Sequence, residues 1–296
     1  MAKRSRNKIS DLVRDFYDRM PFNYYSNAQA AAQRIADNPI AAYPDLDVLL
    51  RGESVETVLE FGCGTGWAAN SIALHYSKAV TAVDISARAL ERAVHVSKEV
   101  GTASRTRFVH ADLFDFQSAE KFDLVLSVGV LHHTFDCRRA FSHISRFVAD
   151  GGFIFVGLYH LYGRRAFLGL FREILESQGE EAAYRRYAEL NRGVRDDTHL
   201  RSWFRDQVLH PRETLHTLEE VLDWLDEDGF SLLTTSINQY DGSESREALI
   251  DLETAYEALS ERRNRIDRSF FPGFFTTLAK RGQPKRHLEV AVCAAK

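Results

Sequence analysis

The sequence predicts an α/β fold built on a doubly wound sheet, and three features predict it. From about Val55 to Tyr159, short apolar runs alternate with stretches of helical periodicity, the pattern of parallel strands joined by crossover helices. The first run opens onto a glycine-rich turn, Gly62-Cys63-Gly64-Thr65-Gly66, at the end of a strand where open α/β sheets bind their ligands. Two further strand-like runs in the last third of the chain bring the expected strands to seven.

Five strands are expected at Thr57–Phe61, Val80–Asp84, Arg107–His110, Asp123–Ser127 and Phe153–Leu158, short and rich in β-branched or aromatic residues, as strands buried on both faces are. Between them Trp67–Tyr76, Ala87–Val100 and Arg138–Val148 repeat apolar residues every three or four positions and read as crossover helices. The sixth strand is expected at Phe230–Ile237, after the turn residues Asp228-Gly229, and the seventh at His287–Ala294. Leu161–Gly229 reads as a helical insertion, and a second insertion, with the charged stretch Ser245–Asp267 and the aromatic cluster Phe270–Phe275, spans about 241–284. The expected division is 1–51 before the sheet, a ligand-binding core at 52–160, the insertion at 161–229, and closing strands at 230–296.

The 296 residues are 45% hydrophobic, enough for a full core. Thirty-eight Lys and Arg against 42 Asp and Glu give a net charge of −4, so there is no global positive field to hold a phosphate backbone, and nucleic acid is disfavoured as partner. Cys63, Cys137 and Cys293 form no C-x-x-C pair or zinc spacing, which fits a reducing cytoplasmic setting and predicts no bound metal. No run approaches the roughly 18 apolar residues of a membrane span, and no apolar stretch follows the basic N-terminus as a secretory signal requires.

The chemistry concentrates at VLEFGCGTGW. Gly62, Gly64 and Gly66 let the chain turn tightly and approach a ligand. A dinucleotide fingerprint would need a small residue at position 67, where Trp67 stands. No Gly-Lys-Ser/Thr follows, which removes a phosphate-binding P-loop.

Glu60-Phe61-Gly62-Cys63-Gly64-Thr65-Gly66 instead resembles the first motif of the class I S-adenosylmethionine-dependent methyltransferase family, an acid, one spacer and G-x-G-x-G. The resemblance covers roughly Val55–His160 and implies a Rossmann-like fold with an antiparallel last strand, a helical N-terminal cap over 1–51, and S-adenosylmethionine as cofactor with S-adenosylhomocysteine as product. It implies that Asp84, ending the second strand, accepts both ribose hydroxyls. Asp112 would meet the adenine amino group, with Leu113 beside the ring, and Phe61, Cys63, Ile85 and Val128 are expected as further cofactor contacts. In this family the segments outside the core choose the substrate, and here they match no general motif.

On the substrate side His132 and His133 follow the fourth strand, where a neutral imidazole can accept a proton; hydrogen bonding that only shapes the loop is the alternative. Tyr159 and His160 end the fifth strand, and one of the two should point inward. His199, Trp203, Arg205, Asp206 and His210 crowd into HLRSWFRDQVLH, a candidate substrate lid or a helix packed on the core. Tyr17, Phe22, Tyr24 and Tyr25 crowd FYDRMPFNYYSN, so that Tyr24 or Tyr25 could cover the cofactor or anchor the cap. Phe270–Phe275 reads as core or as a homodimer contact. The expected reaction is O- or N-methylation of a small metabolite by in-line placement of a nucleophile and exclusion of water. Its rivals are an RNA methyltransferase using Arg164-Arg165, Arg185-Arg186 and Arg262-Arg263, another use of the cofactor such as cyclopropane formation, and a catalytically silent cofactor-binding partner.

Overall fold

The computed structural model describes residues 2–266, 270 and 273–282. Helices α1 (Ala2–Arg19), α2 (Ala28–Ala36) and α3 (Pro44–Arg51) precede the sheet. Then β1 (Thr57–Phe61), α4 (Trp67–His75), β2 (Ala79–Asp84), α5 (Ala87–Glu99), β3 (Thr106–His110), β4 (Phe122–Val128), α6 (Cys137–Ser145) and β5 (Val148–Tyr159) alternate. Four helices follow: α7 (Leu161–Gln178), α8 (Glu180–Leu190), α9 (Asp197–Leu209) and α10 (Leu218–Glu227). The chain continues through β6 (Phe230–Thr235), α11 (Arg246–Ile266) and β7 (Phe274–Arg281).

The seven strands lie in the order β3-β2-β1-β4-β5-β7-β6, parallel except for β7, which runs antiparallel to both β5 and β6. The sheet is doubly wound because alternate residues of each strand enter different cores. Leu59, Phe61, Val125 and Ile154 join one cluster with α6 and α10, and Val58, Leu124, Leu126 and Phe155 join the other with α4. At the fully buried positions this leaves no polar face, as a parallel sheet covered by helices requires.

Two expectations are corrected. The span 241–284, read as a helical insertion, contains the strand β7, Phe274–Arg281, and the strand expected at His287–Ala294 lies outside the described residues. The run Phe274-Phe275-Thr276-Thr277 is aromatic and β-branched, and β7 is hydrogen-bonded on both edges. Gly157 on β5 makes room for it, since a Cβ there would sit 2.5 Å from the Phe274 ring. The insertion after β5 also ends earlier than 229. Leu218, Val221, Leu222 and Leu225 of α10 belong to the main core, and Thr217 and Glu220 start that helix with a capping box. Helices α7 to α9 instead share a core of their own around Phe171, Tyr187 and Phe204.

Candidate functional site

A cavity of about 820 Å³ opens over the C-terminal ends of β1, β2, β4 and β5, within the range of ligand sites. Its floor is the turn after β1. Gly62 and Gly64 both have positive φ, +74° and +52°. A Cβ on Gly62 would fall 2.3 Å from a Val130 methyl, whereas Gly64 faces open space with its nearest neighbour, the Phe22 carbonyl, 4.0 Å away. Gly66 lies on the far side, where a Cβ would meet Ala93 of α5 at 2.8 Å; it serves helix packing and does not line the cavity.

Asp84 closes the turn. One of its carboxylate oxygens accepts the Gly64 N–H at 2.7 Å and the other the Ser86 N–H at 2.8 Å. Burial pushes its carboxyl above the usual range, against the pull of these two N–H groups. Each oxygen keeps a further lone pair. Phe61, Cys63, Ile85, Leu113 and Val128 line the cavity, as does Asp112, one oxygen of which accepts the Phe114 N–H at 2.8 Å. Glu60 does not line it. It lies beneath the turn, 3% exposed, with Oε2 lacking a partner among the described residues, and burial, then the Asp84 charge, pushes its carboxyl up to about 8.

The roof comes from outside the sheet. Val13 and Tyr17 of α1, Phe22 and Tyr25 of the following segment, and Trp203 and Asp206 of α9 all face the cavity. Tyr25 stacks on His199 at 3.9 Å, and the Trp203 indole N–H donates to Asn23 at 2.6 Å. Tyr24 turns outward, its ring under the Arg92 guanidinium at 4.3 Å. Of the two tyrosines only Tyr25 covers the site. Arg205 lies over Phe16 at 4.8 Å and is not in the cavity wall.

The histidines separate into different roles. His133 lines the cavity; its Nδ1–H donates to the Arg212 carbonyl at 2.8 Å, so Nε2 carries the lone pair and has no partner among the described residues. His132 is fully buried behind it, stacked on Tyr159 at 4.1 Å, with Nδ1 accepting the Tyr159 backbone N–H at 3.2 Å. The lone pair of His132 is thereby used, and its ring holds the end of β5 in place. His210 packs 3.7 Å from His133, its Nδ1 likewise occupied by the Arg212 N–H. Burial pushes His133 and His210 down to about 3.

Strand alternation divides Tyr159 from His160. Tyr159 faces the cavity and its hydroxyl donates to Asp206 at 3.2 Å. His160 points to the opposite side, fully buried, with Nε2 paired to Glu253 of α11 at 2.7 Å. It joins β5 to the core of α10 and α11. The structure also adds a partner that the sequence did not signal: the Tyr17 hydroxyl, from α1, donates to the same Asp206 at 2.6 Å across 189 positions.

Arg164, which the rival RNA reading would place in a basic patch, is internal at 4% exposure and forked onto Glu213. Arg165 and Arg186 pair with Glu257 and Glu189. Among the described residues no helix is long and apolar enough to cross a membrane.

Residues 58–152 match the family model described as "Methyltransferase domain". The chain is 34% identical over 139 residues to an uncharacterized methyltransferase of Mycobacterium tuberculosis, covering 42% of this chain and 68% of that protein. It is 27% identical over 133 residues to a malonyl-[acyl-carrier protein] O-methyltransferase of Ilyobacter polytropus, 45% of this chain and 49% of that one. A protein of Synechococcus is 30% identical over 197 residues, of which the match spans 60% of this chain and 47% of the relative. The chain thus spans about half the length of these last two relatives. Magnesium protoporphyrin IX methyltransferase of Synechocystis, solved with S-adenosylhomocysteine bound, shares the fold over 94% of this chain and all of that one (100%), with a TM-score of 0.51 and 16% identity.

Proposed function

The chain belongs to the class I S-adenosylmethionine-dependent methyltransferase family, and from that premise we propose that it methylates an O or N atom of a small-molecule metabolite in the cytoplasm. The observation that supports the reading is a single roofed cavity lined by the glycine turn and Asp84 on one side and by the His133 ring on the other. The residues fit the cofactor. Gly64 leaves space for close approach, and Asp84 keeps lone pairs for two hydroxyls. The bound cofactor supplies an electrophilic methyl group; the protein's own residues have only to hold, orient and keep dry.

The roof of α1 and α9 excludes water, which strengthens every polar interaction inside. His133 Nε2 takes a proton from the acceptor, and the Arg212 carbonyl holds the ring in the tautomer that allows it. The net charge of −4 and the internal position of Arg164 weigh against an RNA substrate. Incubation with methyl-labelled cofactor and fractionated cell extract, followed by mass spectrometry, tests the reading. A labelled small molecule is expected, and label appearing only in RNA or protein would overturn it.

Trp67, standing where a dinucleotide fingerprint needs a small residue, lines the cavity. NAD and NADP are therefore expected not to displace S-adenosylhomocysteine in a competition titration; displacement at micromolar NAD would reverse that reading of the turn.

A further inference from the structure

Three elements, α1, β5 and α9, converge on one carboxylate. Asp206 is 6% exposed and lines the cavity, with Tyr17 donating to Oδ1 at 2.6 Å and Tyr159 to Oδ2 at 3.2 Å. Among the described residues no cation is bonded to it. The Arg164 guanidinium lies 3.9 Å over the Tyr159 ring, its Nε and Nη2 hydrogens donated to Glu213 and the Gln207 carbonyl. A buried carboxylate with only neutral donors is costly unless something of opposite charge completes it. Burial accordingly pushes its carboxyl above the usual range.

The surroundings favour a particular completing group. The charged residues of the cavity wall are Asp84, Asp112, Asp196 and Asp206 against Arg34 and Arg195, and both arginines are exposed. His133 and His199 are held neutral, at about 3 and about 4, by burial. Tyr25, Phe135, Tyr159, Trp203 and Phe274 add ring faces and edges to the same wall, the setting in which organic cations are held. An anionic acceptor would meet a carboxylate here and no free cation in the interior.

We propose that Asp206, held in the cavity wall where α1, β5 and α9 converge, is the anchor of an acceptor subsite for a small organic cation, an ammonium-bearing metabolite. The proposal rests on the methyltransferase reading and narrows its substrate class. The negative charge of Asp206 faces the cationic nitrogen, and the aromatic wall packs around the carbon atoms bonded to it.

The test uses the full chain saturated with S-adenosylhomocysteine and two probes of the same shape, choline and its uncharged isostere 3,3-dimethylbutan-1-ol, titrated by calorimetry. The wild-type protein is expected to bind choline at least about tenfold more tightly, and Asp206→Asn to bring the two affinities together while S-adenosylhomocysteine affinity holds. Equal affinities in the wild type, or a choline preference that survives in Asp206→Asn, would overturn the proposal. Because Asp206 also joins α1 to α9, Tyr17→Phe provides the control, removing one of those links and keeping the charge. The choline preference is expected to persist in it, and its disappearance there would reduce Asp206 to a latch and overturn the proposal too. Failure of S-adenosylhomocysteine to bind at all would remove the methyltransferase reading and this inference with it, whereas its binding without cation preference removes the inference alone.

Discussion

Replacing His133 by Ala is expected to slow the methyl-transfer step by roughly 10²–10⁴-fold, the usual contribution of a positioned general base, with affinity for S-adenosylhomocysteine unchanged. The expectation follows from tautomer and placement. Of His132, His133 and His210, only His133 both lines the cavity and has its lone pair free; the other two use Nδ1 to accept backbone N–H groups. His132→Ala is expected to lower stability instead, because that ring supports the end of β5. Burial at about 3 keeps His133 neutral across the physiological range, so the wild-type rate should show no acidic limb near an ordinary imidazole value of about 6.5. The variant's dependence on pH then reports the acceptor: a hydroxyl that must lose its proton should be partly rescued at higher pH, and an already neutral amine should not. Single-turnover rates with the identified substrate measure this. Wild-type rates in His133→Ala would remove the assignment and leave Tyr159, whose hydroxyl also faces the cavity.

The same buried rings predict a large effect of acid on stability. His133, His199 and His210 are held down to about 3, about 4 and about 3 in the folded protein, each chiefly by burial, whereas in the unfolded chain they titrate near 6.5. Below that value the unfolded chain binds more protons, so the stability these groups contribute is present above about pH 6.5 and is lost as pH falls toward 4. Glu60 works in the opposite sense. With a folded value of about 8 against about 4.3 unfolded, it stabilises at low pH and loses that contribution as pH rises between the two. From pH 6 to 5 the three histidines outweigh the one glutamate, so their joint contribution to stability falls as the pH drops. Urea midpoints are therefore expected to be highest near pH 6.5, to fall steeply by pH 5 and to decline gently toward pH 8. Midpoints that stay level between pH 6.5 and 5 would show that these rings are not held neutral.

What the sequence revealed and what it hid have a common physical basis. The glycine turn and Asp84 are local: Gly62, Gly64 and the strand-end acid carry their geometry in residues a few positions apart, and the sheet order follows from alternation of strands and helices. The roof is not local. Tyr17 and Asp206 sit 189 positions apart and meet only because α1 and α9 fold over the same strand ends. Nor could a motif separate neighbours such as His132 from His133, or Tyr159 from His160, since each pair divides according to backbone donors and strand facing that arise only in the folded chain. The last strand was hidden because Phe274-Phe275 continues an aromatic cluster that reads equally well as packing, and its partner is the space over Gly157.

The central claim is that the cavity over Gly64 and Asp84 holds S-adenosylmethionine. Calorimetric titration of the wild-type chain and of Asp84→Ala with S-adenosylhomocysteine tests it most directly. Saturable one-to-one binding is expected in the wild type, weakened in the variant by about 1.5–3 kcal/mol, the scale for hydrogen bonds to a charged group. No binding to the wild type, or undiminished affinity in an Asp84→Ala protein whose circular dichroism shows it folded, would contradict the account.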